Sequence, residues 1–196
     1  MSKPLRATPE ARRRDLIAAC ARVLAGGGAA AASVRTIAAA AGVSPGLVTH
    51  HFGGISALVD ATYDHVAAQV AAALEAAVAQ AGDDPHSRLS AYVEASFAPP
   101  IADPSLLATW IAFWGLARGD ATIAAAHERH YAGYRARLES LLSESGMAAT
   151  RLRHAAIGLT ALVDGLWLEL CLSPGTFDAD DARAITSGYL ASLRGQ

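Results

Sequence analysis

The stretch "SVRTIAAAAGVSPGLVTHHF", residues 33–52, carries two helix-start signals eleven positions apart, Ser33 and Ser44, with Gly42 between them. Serine favours the position before a helix because its hydroxyl accepts from an N–H of the first turn that has no partner inside the helix. Pro45 follows Ser44 directly and suits a first turn, where its missing N–H costs nothing. Ile37, Ala38 and Ala41 fall on one side of the first segment, and Leu47 or Val48 seals the second. Neither segment is long enough to stand alone, since isolated helices below about 12–15 residues are marginal in water. Gly42 permits the positive φ of a sharp turn, and Ala38 and Gly42, one turn apart, are small enough for the two helices to cross closely. Two such helices persist only by packing on a third, which is a helix-turn-helix unit.

The second helix of such a unit lies in the DNA major groove, its N-terminal part against base edges. Ser44, Pro45 and Gly46 add little bulk there, so the backbone can approach the duplex and its free N–H groups can meet a phosphate. Thr49 offers a hydroxyl and a methyl group to a base edge, and His50 its ring nitrogens. Arg35 and Thr36 open the supporting helix and suit phosphate oxygens, as do Arg12, Arg13 and Arg14.

The remaining sequence is consistent with that reading. Residues 1–54 hold seven basic side chains (Lys3, Arg6, Arg12, Arg13, Arg14, Arg22, Arg35) against Glu10 and Asp15, a net of +5. The whole 196-residue chain has a net charge of −2, so the remainder carries −7. A basic head on an acidic body points to one end meeting a polyanion. The composition is alanine-dominated, 53% hydrophobic and only 17% charged, which predicts an all-α protein. So little charge also predicts that part of the exterior is covered by a second copy.

Thr8-Pro9-Glu10 opens a first helix, with Leu16, Ile17, Cys20, Val23 and Leu24 on one face, and Gly26-Gly27-Gly28 stops it. Helices are expected over 55–81, 86–98, 104–118, 120–145, 150–173 and 178–194, separated by Gly- and Pro-containing breaks. The expected domains are a head at 1–54 and a helical body at 55–196, linked by helix 55–81. Cys20 and Cys171 lie far apart in apolar helical patterns, as in a reducing cytosol. "AAIGLTALVDGLWLEL", residues 155–170, is interrupted by Asp164 and Glu169, which argues against a membrane span. His127 and His130 share a helix face without a partner cluster, so no metal is expected. No nucleophile-elbow sequence and no strand pattern accompany the Ser, His and Asp residues, so neither catalysis nor a cofactor is expected.

Trp110, Phe113 and Trp114 cluster at helical spacing, and Trp167 follows Asp164 by three residues. Aromatic stripes are most often core. A carboxylate among them is costly without a partner, and aromatic faces with a carboxylate suit an organic cation. These five are the candidate ligand residues.

"TIAAAAGVSPGLVTHHFGGISALV", residues 36–59, resembles the DNA-binding head of the TetR family of bacterial repressors, which also follows a single N-terminal helix. "WIAFWGLARGD" (110–120) and "ALVDGLWLELCLSPG" (161–175) are similar to segments of that family's choline-responsive, BetI-like branch. The resemblance implies a cytoplasmic, ligand-released repressor, with choline or a related cation as effector; an activator or ligand-blind regulator of the same fold, and more remotely a helical small-molecule enzyme, stay open as alternatives. It also implies a homodimer through residues 150–194, whose two heads read operator half-sites. The family commonly has aromatic residues at the positions of Thr49 and His51, and lysine at Ile55, where they serve to hold phosphates. Their absence implies a shallower salt dependence, by about 0.9 log unit for each phosphate left unbound.

Overall fold

The computed structural model describes residues 8–194, which form helices and turns with no strand among them. Lys3 and Arg6 of the basic head lie outside the described residues. Helix α1 (Pro9–Ala31) starts on Thr8, whose hydroxyl accepts from the Ala11 N–H at 3.2 Å. It buries Leu16, Ala19, Cys20 and Leu24. The glycine run interrupts it later than expected: Gly26 and Gly27 stay helical, Gly28 turns to φ +64°, and one further turn follows.

Ser33 caps α2 (Val34–Ala40), its hydroxyl accepting from the Thr36 N–H at 3.1 Å. At the end of α2 the Gly42 N–H donates to the Ala39 carbonyl and the Val43 N–H to the Ala38 carbonyl. With Gly42 at φ +66°, this is the paired closure that a left-handed residue allows. A Cβ added at Gly42 would meet nothing within 4 Å. Gly42 therefore serves the turn, and the close crossing expected from its small size is not its role.

Helix α3 (Pro45–Phe52) follows, with Pro45 in its first turn. Here one expectation is corrected. Ser44 has the extended backbone of a capping residue, but its side chain makes no capping hydrogen bond. Val48 and Phe52 are the inward residues of α3; Leu47 is half-buried.

The longer helices are α4 (Ile55–Gln80), α5 (Pro85–Glu94), α6 (Pro104–Ala117), α7 (Ala121–Glu144), α8 (Ala149–Leu172) and α9 (Ala179–Arg194), with a 3₁₀ turn at Ala95–Phe97. Pro85 starts α5, because the Asp84 carboxylate accepts from the Ser87 N–H at 2.8 Å.

Contacts divide the chain into two compact units, Met1–Val66 with Ala108–His127, and Ala67–Leu107 with Glu128–Gln196. In the first, Leu16, Leu24, Ile37, Val48, Leu58, Tyr63, Phe113 and Ile123 are buried. It extends past residue 54 for a visible reason. The Tyr63 ring stacks on Phe113 at 4.4 Å, its hydroxyl lies 3.1 Å from His127 Nδ1, and Ser56 Oγ donates to Asp120. In the second unit, Leu74, Leu89, Phe97, Ile101, Leu138, Leu141, Leu159 and Leu190 are buried. By length and composition α8 could cross a membrane, but its Ala155, Ala156, Leu159, Val163, Leu166 and Trp167 are buried in this unit.

Candidate nucleic-acid interface

The outward side of α3 is polar and small: Ser44, Pro45, Gly46, Thr49 and His50 are exposed, and His51 is half-buried. The inward side is apolar, with Val48 fully buried and Phe52 9% exposed. That division follows from helical spacing, since residues 48 and 52 share one face. The hydroxyl of Ser44, not used as a cap, is left at the surface beside the first turn of α3. Arg35 and Thr36 are exposed at the start of α2, and Thr36 Oγ1 lies 2.7 Å from Ser33 Oγ. Seven of the eight residues expected from sequence are thus exposed, at two successive helix starts and on the outward side of α3, while His51 is half-buried.

Two arginines of α1 have other roles. An Arg13 guanidinium N–H donates to the His51 carbonyl, and the guanidinium lies 4.2 Å from the Phe52 ring centroid. Arg22 Nη2 donates to the Ala40 carbonyl at 3.4 Å. Each places positive charge at the carbonyl end of a short helix, where the helix dipole favours it. Residue type suggests a phosphate for Arg13; in the fold one of its N–H groups meets the end of α3 while the side chain stays exposed.

The five candidate ligand residues fall into two sets. Trp110 and Phe113, 5% and 0% exposed, pack edge-to-face with each other and around Tyr63 in the first unit, and Trp114 is half-buried there. For Trp110 and Phe113 this is core packing, as i, i+3 aromatics on an apolar helix favour.

Asp164 and Trp167 belong to the second unit and meet residues that the sequence did not single out. Tyr131 Oη donates to Asp164 Oδ1 at 3.0 Å, and Trp167 Nε1 donates to the Ser96 carbonyl at 2.9 Å. Burial pushes the Asp164 carboxyl up to about 6, against the opposing pull of the Tyr131 hydroxyl and the Arg135 charge. Burial likewise raises the Tyr134 hydroxyl, with the Ser96 side chain opposing and the Asp164 charge adding. Tyr134 stacks on Tyr92 with centroids 5.6 Å apart. The one sequence signal for this group was the i, i+3 spacing of Tyr131 and Tyr134 on α7. Its pairing with Asp164, 33 residues on, has no local trace.

A compact head that buries one face of a short helix and offers the other, small and polar, to solvent defines a helix-turn-helix DNA-binding regulator. Residues 16–62 match the family described as bacterial regulatory proteins, tetR family, and residues 85–195 match the BetI-type transcriptional repressor C-terminal family. The chain belongs to the TetR family and carries a BetI-type C-terminal domain. It is 34% identical over 186 residues to the HTH-type transcriptional regulator BetI of Burkholderia thailandensis, covering 94% of each chain. The crystal structure of a transcriptional regulator from Pseudomonas aeruginosa PAO1 superposes with a TM-score of 0.87 at 40% identity, covering 97% of this chain and 93% of that one. A transcriptional regulator from Saccharomonospora viridis, solved in complex with choline, shares the fold with a TM-score of 0.76 at 19% identity, covering 91% of this chain and 95% of that one. The protein is a transcriptional regulator, not an enzyme. Regulators of this family bind operator DNA and form dimers.

Proposed function

We propose that this chain represses transcription by seating α3 in the major groove of an operator, and that a small organic cation releases it. The observation that carries the reading is the sorting of α3: Ser44, Pro45, Gly46, Thr49 and His50 face outward while Val48 and Phe52 face inward. Thr49 and His50 read base edges. Arg35, Thr36, Ser44 and His51 contact the backbone or its neighbourhood, fixing the register of the helix. Two heads carried by a dimer built on residues 150–194 meet two half-sites. The protein then acts where its operator is, in the cytoplasm.

The effector reading rests on this chain's own residues, because a neighbour at 19% identity carries the fold alone. Asp164 is a partly buried carboxylate whose ionisation burial opposes, with Tyr131 and Trp167 nearby in its unit. An ammonium group relieves that penalty, and aromatic faces add to the attraction. Choline is the first cation to test. Effector and operator then weaken each other by the same factor. α4, whose residues contribute to both units, is the connecting element.

The test is a gel shift with duplex DNA from upstream of the chain's own gene, repeated with choline. Specific retardation, abolished by Thr49→Ala with His50→Ala and relieved by choline, supports the reading. Retardation that is indifferent to those substitutions removes α3 from the interface. A complex unmoved by choline, betaine and simple alkylammonium ions removes the cationic effector.

A further inference from the structure

We propose that Arg13 is a positioning residue of the DNA interface rather than a phosphate ligand: laid over the Phe52 ring and bonded to the His51 carbonyl, it fixes the angle at which α3 presents Thr49 and His50. The proposal rests on the operator-binding reading above and names a determinant of its specificity.

Three observations converge on it. Helix α3 has eight residues, so its orientation cannot come from its own stiffness and must be imposed by neighbours. Its start supplies no side-chain cap, since Ser44 makes no capping hydrogen bond. Its end is held from α1: the Arg13 guanidinium donates to the His51 carbonyl and lies 4.2 Å from the centroid of Phe52, which with Val48 anchors α3 inward. Thr49 and His50 stand immediately before that held carbonyl. A planar guanidinium suits this double duty, because it stacks through its face and donates through its edge at once. Arg22 Nη2 reaches the Ala40 carbonyl of α2 at 3.4 Å, so α1 also meets the carbonyl end of the other short helix, there without a ring contact.

A phosphate ligand and a positioning residue leave different marks. Removing a phosphate ligand lowers the slope of log affinity against log salt by about 0.9 and weakens all sequences alike. Disturbing the position of α3 leaves the slope and erodes discrimination between sequences.

The probe is the duplex that the full chain itself enriches from a randomised library, together with its single-base-pair variants, titrated at several KCl concentrations. Arg13→Gln is expected to lose about tenfold in discrimination at one or more positions, the size of one base contact, with the salt slope unchanged. Phe52→Leu, which removes the ring and no charge, is expected to lose discrimination at the same positions. The double variant should be no worse than either single one. Thermal unfolding separates a purely structural role, which lowers the melting point and the active fraction but leaves discrimination per bound molecule intact. A reduced slope with discrimination retained in Arg13→Gln overturns the proposal, as does full discrimination in Phe52→Leu. If the unaltered chain enriches no sequence, the operator-binding reading itself fails, and that is known before any variant is made.

Discussion

Ser33 and Ser44 look alike in the sequence and differ in the fold. Ser33 accepts from the Thr36 N–H, whereas Ser44 makes no capping bond and stands exposed. Ser33→Ala should therefore cost about 1 kcal/mol of stability in urea unfolding, the usual value of a lost cap. Ser44→Ala should be neutral in the same experiment and weaken operator binding instead; equal destabilisation by the two would show that both are caps. Asp164 supplies a second residue-level test. Its carboxyl is raised from 3.8 to about 6 by burial, so the folded chain holds this proton more tightly than the unfolded one. Stability from that group is fully present below pH 3.8 and is lost as pH rises through about 6. Asp164→Asn keeps an oxygen for Tyr131 and removes the titration. The stability of the variant relative to the unaltered chain should thus climb as pH rises from 3.8 to about 6, then level off, in urea unfolding at matched pH. A constant difference across that range would mean that Asp164 is not buried. Cation binding at Asp164, by the same logic, should tighten as pH rises through about 6 and the carboxylate ionises.

Helix boundaries were the most legible feature of the sequence, because the residues that set them are local. Pro9, Pro45, Pro85 and Pro104 each begin a helix, and the expected spans 104–118, 120–145 and 150–173 became Pro104–Ala117, Ala121–Glu144 and Ala149–Leu172. What sequence could not supply were partnerships across long separations. Arg13 with His51, 38 residues on, and Tyr131 with Asp164 carry no periodic signal, and residue type alone had joined Trp110 and Phe113 to Asp164. Chemistry grouped those five residues; packing assigned them to two units. The turn between α2 and α3 stands between these cases, since its glycine and the positive φ were legible while the close crossing expected from its small size is absent. Gly42 sits at φ +66° with open space where a Cβ would go. Gly42→Ala should then cost about 1–2 kcal/mol by backbone strain alone, and Gly42→Asn less, as asparagine tolerates this conformation better. Urea midpoints of the full chain decide it. A neutral alanine would mean that the turn relaxes without the left-handed residue.

At the scale of the whole molecule, the large apolar side chains that remain exposed among the described residues are Ile157, Leu168, Leu172 and Ile185, all on α8 and α9. On α8 they fall in step with small residues, Ile157, Ala161, Gly165, Leu168 and Leu172, spaced by four, four, three and four, which is one continuous helical stripe. Gly158, on a different side, is covered by Tyr189 of α9, the Tyr189 hydroxyl lying 2.6 Å from where a Cβ would stand, so α9 packs on α8 away from the stripe. An apolar stripe of this kind is costly in water and is ordinarily covered by a partner. A second copy is the partner that a dimeric regulator supplies. If a second copy covers this stripe, as proposed above, Ile157→Glu with Leu168→Glu places like charges across that contact, and both side chains are exposed in the protomer. The variant should keep its helical circular dichroism, sediment as a monomer at micromolar concentration, and lose roughly 10²–10⁴ in operator affinity as one head loses the other's effective concentration. A variant that still sediments as a dimer would remove residues 150–194 from the interface. One that becomes monomeric yet binds a full operator unchanged would show that the two heads do not act as a pair.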